Sequence, residues 1–182
     1  MSRLAALLAP HHRLSLFWLC AALGLAGPWL LTGVDWGHWI ASGKGNARTC
    51  FVASIHDGDT LSAICDGDQL QVGLYCIDAP ELAQNPWGIE SRDHLRQLVP
   101  REVTLRLHET DRYGRKIAEV LTPEGESVNQ RMVRDGQAAV YRQFCPDAAF
   151  IRLEAAAKTQ GLGIWAQPGE HQAPWHYRHR DR

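Results

Sequence analysis

The chain has 182 residues, 45% hydrophobic and 21% charged, which leaves room for one domain plus an appendage and excludes a disordered polymer. Its net charge of −1 hides an uneven layout: residues 49–169 carry 12 Lys and Arg against 17 Asp and Glu, a net of −5. Gripping nucleic acid by bulk electrostatics requires a basic surface, so that mode is excluded, and any dealing with phosphate must run through a few placed arginines or a bound cation.

The first element is an uncharged run at 14–34, preceded by Arg3 and Arg13. As a helix rising about 1.5 Å per residue it reaches roughly 30 Å, enough to cross a bilayer core. The positive-inside rule then puts the N-terminus in the cytoplasm and the rest outside. The rival reading is a signal peptide cleaved after Ala26, since Gly24-Leu25-Ala26 is a small-x-small site. Both readings export the domain. Residues 35–48 read as a linker, with Trp36 and Trp39 at the headgroup level or simply in a spacer.

Three apolar stretches follow at 50–56, 60–65 and 70–77, each bounded by Asp/Gly clusters, which predicts strands in a meander. Residues 87–98 read as a helix ending before Pro100. Alternation at 102–108 and an apolar run at 116–121 predict two more strands. Ser127 is placed to cap a short helix ending at Gly136, and Asp147 to cap a longer one over 148–160, stopped by Gly161. Five strands with late helices predict an α+β domain over 49–169, for which a small closed barrel is one solution. Residues 170–182 form a His/Arg/Trp tail.

Cys20 lies in the apolar run, leaving Cys50, Cys65, Cys76 and Cys145. Their spacing matches no zinc pattern, they suit an oxidising compartment, and three pairings are possible. A hairpin centred between Asp57 and Gly58 has partners whose numbers sum to 115, as do those of Cys50 and Cys65. Cross-strand neighbours sit near disulfide distance, so this pair is expected to bond unless a bulge spoils the register.

The acidic residues gather at strand ends, in Asp57-Gly58-Asp59-Thr60, Asp78-Ala79-Pro80-Glu81 and Asp111-Arg112-Tyr113-Gly114-Arg115. Hard oxygens from two such loops can converge on Ca²⁺, and a neighbouring arginine can pair with a phosphate oxygen. In order and spacing, the stretches VASIHDGDTL, YCIDAPE, DRYGRKIAEV, SVNQRMVRDGQA, GLGIWA and the ending PWHYR resemble the staphylococcal (micrococcal) nuclease, or thermonuclease-like, family. The resemblance covers about residues 49–178. It implies a five-stranded OB-type barrel with three helices and Ca²⁺-dependent endonucleolytic cleavage of DNA and RNA, here expected of a monomer. It further implies Asp59 and Asp78 as calcium carboxylates, Ala79 as a ligand through its backbone carbonyl, and Asp57 as an outer-shell acid. Glu81 falls where the family has its general base, and Arg115 where it has an arginine on the phosphate.

One departure stands out. The resemblance implies a second phosphate-binding arginine five residues before Asp78, and that position is Gly73. The expectation is a slowed nuclease that an arginine at 73 would speed, or else another arginine in the role, with Arg106, Arg112 and Arg142 as candidates. The alternative function is a catalytically impaired module of this fold that binds nucleic acid or protein. A third reading makes His171, His176 and His179 a metal tract.

Overall fold

The computed structural model describes residues 47–180, with side chains through Arg178. The run 14–34 and nearly all of the linker lie outside the described residues. Among the described residues no helix is long and apolar enough to cross a membrane. Ala47 and Arg48, placed in the linker by sequence, already belong to the first strand.

Strands β1 (Ala47–Ile55), β2 (Thr60–Cys65), β3 (Asp68–Leu74), β5 (Glu102–Thr110) and β6 (Lys116–Leu121) close a barrel in the order β1-β2-β3-β6-β5, with β5 returning to β1. All neighbours are antiparallel except β3 and β6. Closure removes the open strand edges that invite aggregation. The barrel is filled by Leu61, Val72, Val103, Leu105 and Val120, all essentially inaccessible, each worth about 1.5–3 kcal/mol when buried. This is the five-stranded barrel that the family resemblance implies; strand patterning alone does not choose it over an open sheet.

The expected disulfide is present, for a partly different reason. Pairs near the β1–β2 turn, Ser54↔Ser62 and Ile55↔Leu61, sum to 116, so the turn is centred on Gly58. A bulge at Ala53 then shifts the register, and Val52↔Ala63 and Phe51↔Ile64 sum to 115. The kind of irregularity expected to spoil the pairing is what brings Cys50 opposite Cys65, with Cα atoms 4.4 Å apart. A second disulfide joins Cys76 to Cys145.

The stretch 70–77 is not one strand. Its alternation runs through Cys76, but Cys76 has φ 71°, in the left-handed region that a side chain disfavours. The chain turns at Tyr75-Cys76, and Ile77–Asp78 becomes a separate strand, β4, paired with β7 (Ala139–Val140) outside the barrel. Period-two patterning reports which side is buried, not which neighbour a strand pairs with, so it could not register this break.

Helix α1 (Trp87–Leu98) occupies the predicted range. In α2 (Val128–Arg134) the Ser127 hydroxyl accepts from the Gln130 N–H, and in α3 (Ala148–Gln160) the Asp147 carboxylate accepts from the Ala149 N–H. Gly161 ends α3 at φ 62°. Asn129 is wholly buried, yet it accepts from the Val120 N–H and donates to the carbonyls of Tyr75 and Ala118. It thereby fixes α2 to β6 and to the turn before β4. The tail forms a further helix, α4 (Pro174–Arg180), with Pro at its first position, where the missing N–H costs nothing. The Trp175 ring stacks on Tyr141 at 5.5 Å, and His171 stacks on Trp87 at 4.4 Å.

Candidate active site

Two loops meet through backbone hydrogen bonds. In the β1–β2 turn, the Asp57 carboxylate accepts from the Asp59 N–H at 3.0 Å, curling the loop on itself. Asp59 then reaches across the fold: its Oδ2 accepts from the Ala79 N–H at 2.8 Å, while its Oδ1 accepts from the Thr60 hydroxyl at 2.9 Å. The backbone carbonyl of Asp59 also accepts from the Leu74 N–H. Gly58 permits this approach. A Cβ there would lie 1.9 Å from Ser91 Oγ and 2.6 Å from Ala79 Cβ, so any larger residue would separate the loops.

Asp78 sits on β4 with a side chain 3% exposed, and Glu81 follows Pro80 on the loop into α1. The Glu81 N–H donates to Gln84 Oε1. Gly88, in the first turn of α1, packs so closely on the Glu81 carbonyl that a Cβ would come within 2.0 Å of it. The structure thus brings together Asp57, Asp59, Asp78, Ala79 and Glu81, as the sequence suggested.

The cluster is short of positive charge. Burial first, and then the Asp59 carboxylate, push Asp57 up to about 7. The same two causes push Asp78 to about 7 although Arg178 pulls it down. Asp78 Oδ2 is buried and has no hydrogen-bond donor. Leaving a charged oxygen so costs several kcal/mol unless something positive meets it. Among the described residues no three His, Cys, Asp or Glu form a ready-made metal cage. A cation here would rest on two carboxylates and complete its shell with backbone and non-protein oxygens, as calcium with its 6–8 oxygen ligands does. The donors are all hard oxygens and one lacks a partner, so they fit that ion.

Arg115 stands on the β5–β6 turn. Asp111 Oδ1 accepts from the N–H groups of Tyr113 and Arg115, and Oδ2 accepts from Arg115 Nε at 2.8 Å. Burial works to raise Asp111, but these donors outweigh it and hold the carboxyl below its ordinary range. Gly73 lies beside this arginine: a Cβ on it would be 4.0 Å from Arg115 Cζ and 3.0 Å from Ile117 Cδ1. Position 73 is buried and faces the Arg115 guanidinium past Ile117.

None of the three arginines proposed to fill the gap touches the acids. Arg106 pairs with Glu119 at 2.6 Å, and Arg112 lies over the Tyr113 ring. Arg142 donates to Glu154 at 2.7 Å. Burial works to raise Glu154, yet Arg142, the Val140 N–H and Lys158 hold it below its ordinary value. The arginine that does reach the site is Arg178 on α4. It donates to Glu81 Oε1 at 2.7 Å and to Asp78 Oδ1 at 2.5 Å. Burial works to lower its pKa, but Asp78 and Glu81 outweigh that and hold it above the ordinary value. It lines an open cleft of about 690 Å³ together with His56, Asp57, Glu81, Leu82 and Tyr177. The sequence alone places this residue at the end of the family-like stretch PWHYR, although the Pro-Trp start of that segment is a helix signal. His171, read as a possible metal ligand, is buried against Trp87 with Nε2 at the Ile164 carbonyl.

Residues 71–167 match the family described as "Staphylococcal nuclease homologue". The chain is 38% identical over 130 residues to a protein of Escherichia coli O157:H7 named "Uncharacterized endonuclease", spanning 71% of this chain and 84% of that one. It is 36% identical over 138 residues to the "Micrococcal nuclease" of Shigella flexneri, spanning 70% and 78%. A "Probable staphylococcal-like nuclease CAN3" of Oryza sativa subsp. japonica is 25% identical over 159 residues, spanning 80% of this chain and 41% of that one. The family match begins after the β1–β2 loop and ends before α4, so Asp57, Asp59 and Arg178 lie outside it.

Proposed function

The chain belongs to the staphylococcal nuclease family, and from that premise we propose that it is a calcium-dependent endonuclease hydrolysing phosphodiester bonds of DNA, RNA or both. The observation that carries the reading is the buried, donorless Asp78 Oδ2 within a cluster of acids whose charges repel. Asp59 and Asp78 would hold the ion with the Ala79 carbonyl, and Asp57 would stand in its outer shell. Bound there, calcium supplies positive charge that polarises the phosphoryl oxygen. Glu81, 32% exposed at the cleft, takes the proton of the attacking water, a step worth about 10²–10⁴ in rate. Arg115 donates to a phosphate oxygen. Its Nε is tied to Asp111, so the terminal amino groups are presented in a fixed orientation, which favours charge stabilisation without reorganisation. Gly73 removes one cationic donor beside it, and the enzyme is expected to be slow for that reason.

We further propose export, with the domain outside the cytoplasm, anchored by the run 14–34 or released after Ala26. Two disulfides in the domain suit an oxidising compartment.

The test is calcium-titrated cleavage of single-stranded DNA and RNA by the full chain, with calorimetry of calcium binding alongside. Cleavage that tracks calcium occupancy and stops in chelator supports the reading. Equal cleavage in chelator overturns the calcium assignment, and an inert protein with calcium bound leaves the binding-module alternative.

A further inference from the structure

Arg178 has no place in the reading above, yet among the described residues it is the arginine that touches the acid cluster. Its two terminal nitrogens divide between Asp78, the proposed metal ligand, and Glu81, the proposed base. We infer that Arg178 is a substrate-contacting residue of the active site: α4 brings its guanidinium to the cluster, Asp78 and Glu81 hold it when no cation is bound, and it passes to the substrate's phosphate once a cation occupies Asp78. This rests on the proposed nuclease reading and adds a catalytic residue to it.

Three observations carry the inference. First, α4 is seated by contacts that do not involve the guanidinium. The near-parallel stack of Trp175 on Tyr141 and the docking of the preceding turn through His171 on Trp87 hold the segment, so the arginine is delivered on a support of its own. Second, the electrostatics favour transfer. With no cation, the guanidinium is the positive charge that the crowded acids need. When a divalent ion takes Asp78 through the donorless Oδ2, one carboxylate is shared between two positive groups that repel. An arginine fork that fits carboxylate oxygens equally fits the non-bridging oxygens of a phosphodiester. Third, Arg178 lines the open cleft beside Glu81 and His56, where a strand approaching Glu81 must lie. A domain with a net charge of −5 over residues 49–169 has few other cations to offer, because Arg106 and Arg142 are committed to Glu119 and Glu154.

The experiment compares the full chain with Arg178→Ala and Arg178→Lys. Its probes are calcium alone, a nucleoside 3′,5′-bisphosphate with saturating calcium, and a single-stranded oligonucleotide for turnover. Expected for Arg178→Ala is calcium affinity equal to or tighter than the parent's, since a tethered competitor is gone. Bisphosphate affinity should fall at least about tenfold, and turnover about 10²-fold, the usual cost of one preorganised donor. Arg178→Lys should fall between, and added guanidinium should restore part of the turnover of Arg178→Ala. Trp175→Ala, which disturbs α4 but keeps the guanidinium, serves as the folding control, and its defect should not respond to guanidinium. Unchanged bisphosphate affinity in a folded Arg178→Ala overturns the inference, as does a loss that guanidinium cannot relieve and Trp175→Ala reproduces. An inert parent chain would instead sink the nuclease reading, while the bisphosphate comparison still decides the role of Arg178.

Discussion

The acid cluster and the two candidate phosphate-binding arginines are built by different means. Asp59 and Ala79 are tied by a backbone N–H, Gly58 closes against Ser91, and Asp78 is locked in the β4–β7 pair. These acids hold their places because the polypeptide around them is packed. The arginines arrive on peripheral supports, Arg115 on a hairpin turn and Arg178 on a terminal helix, each with a side chain 35% exposed and set by its carboxylate partners. A cation site needs oxygens fixed to a fraction of an ångström. A phosphate clamp works through long side chains that can follow the substrate. The acidic side should therefore respond to backbone and packing changes, and the basic side to charge.

The sharpest contrast is chemical. Glu81→Gln is expected to lower turnover by about 10³-fold, within the usual range for a general base, while calcium affinity and melting temperature stay near those of the parent. A variant retaining most of its turnover would remove Glu81 from the mechanism. Next comes the brace behind the acids. Replacing both Cys76 and Cys145 with Ser removes a link spanning 69 residues and should cost about 2–4 kcal/mol in urea unfolding. Calcium affinity should drop as β4 loosens. Stability lost without any change in calcium affinity would mean that β4 does not depend on the disulfide.

Gly58→Ala tests the same idea at one atom. Its Cβ meets Ser91 and Ala79 at contact-forbidding distances, so a loss of roughly 1–3 kcal/mol is expected, with weaker calcium binding. A stable variant with parental calcium affinity would show that the two loops tolerate separation.

The proton dependence should also divide the two sides. Asp57 and Asp78 are raised from 3.8 to about 7. In the metal-free fold their protonated forms therefore favour the native state below about pH 4, and that contribution is lost as pH rises through 7. Calcium needs the ionised forms. Its affinity should weaken about tenfold per pH unit below 7 for each proton displaced, and level off above. A flat calorimetric profile from pH 5 to 7 would contradict the raised values.

The smallest expected effect is on the basic side. Gly73→Arg should raise turnover about tenfold, a discount on the 10²–10³ of a preorganised donor, because Ile117 must give way and Arg115 already stands beside it. Unchanged turnover in a folded, calcium-binding variant would mean that another arginine fills the role, and combining it with Arg178→Ala would show whether Arg178 is that residue.

Much of this was legible in the residues. Local signals are sufficient for local structure: Ser127 and Asp147 as caps, Gly161 as a stop, and strand alternation all act within a few residues of themselves. The acids were legible only through the family resemblance, in the order and spacing of the stretches that hold Asp57, Asp59, Asp78 and Glu81, because an Asp-Gly turn alone is common to many folds. The Cys50–Cys65 bond was reachable by counting, although the bulge at Ala53 that makes the count work is invisible in composition. What the tertiary structure decided is what depends on distant partners. The turn at Cys76 takes β4 out of the barrel because Ala139 and Cys145 lie there to receive it. Gly73 faces Arg115 because β3 and β6 are neighbours in a closed barrel. Arg178 meets Asp78 across a separation of 100 residues, and no spacing rule reaches so far. A side chain's type and local pattern follow from its own stretch of chain, whereas its partner follows from how the whole chain closes.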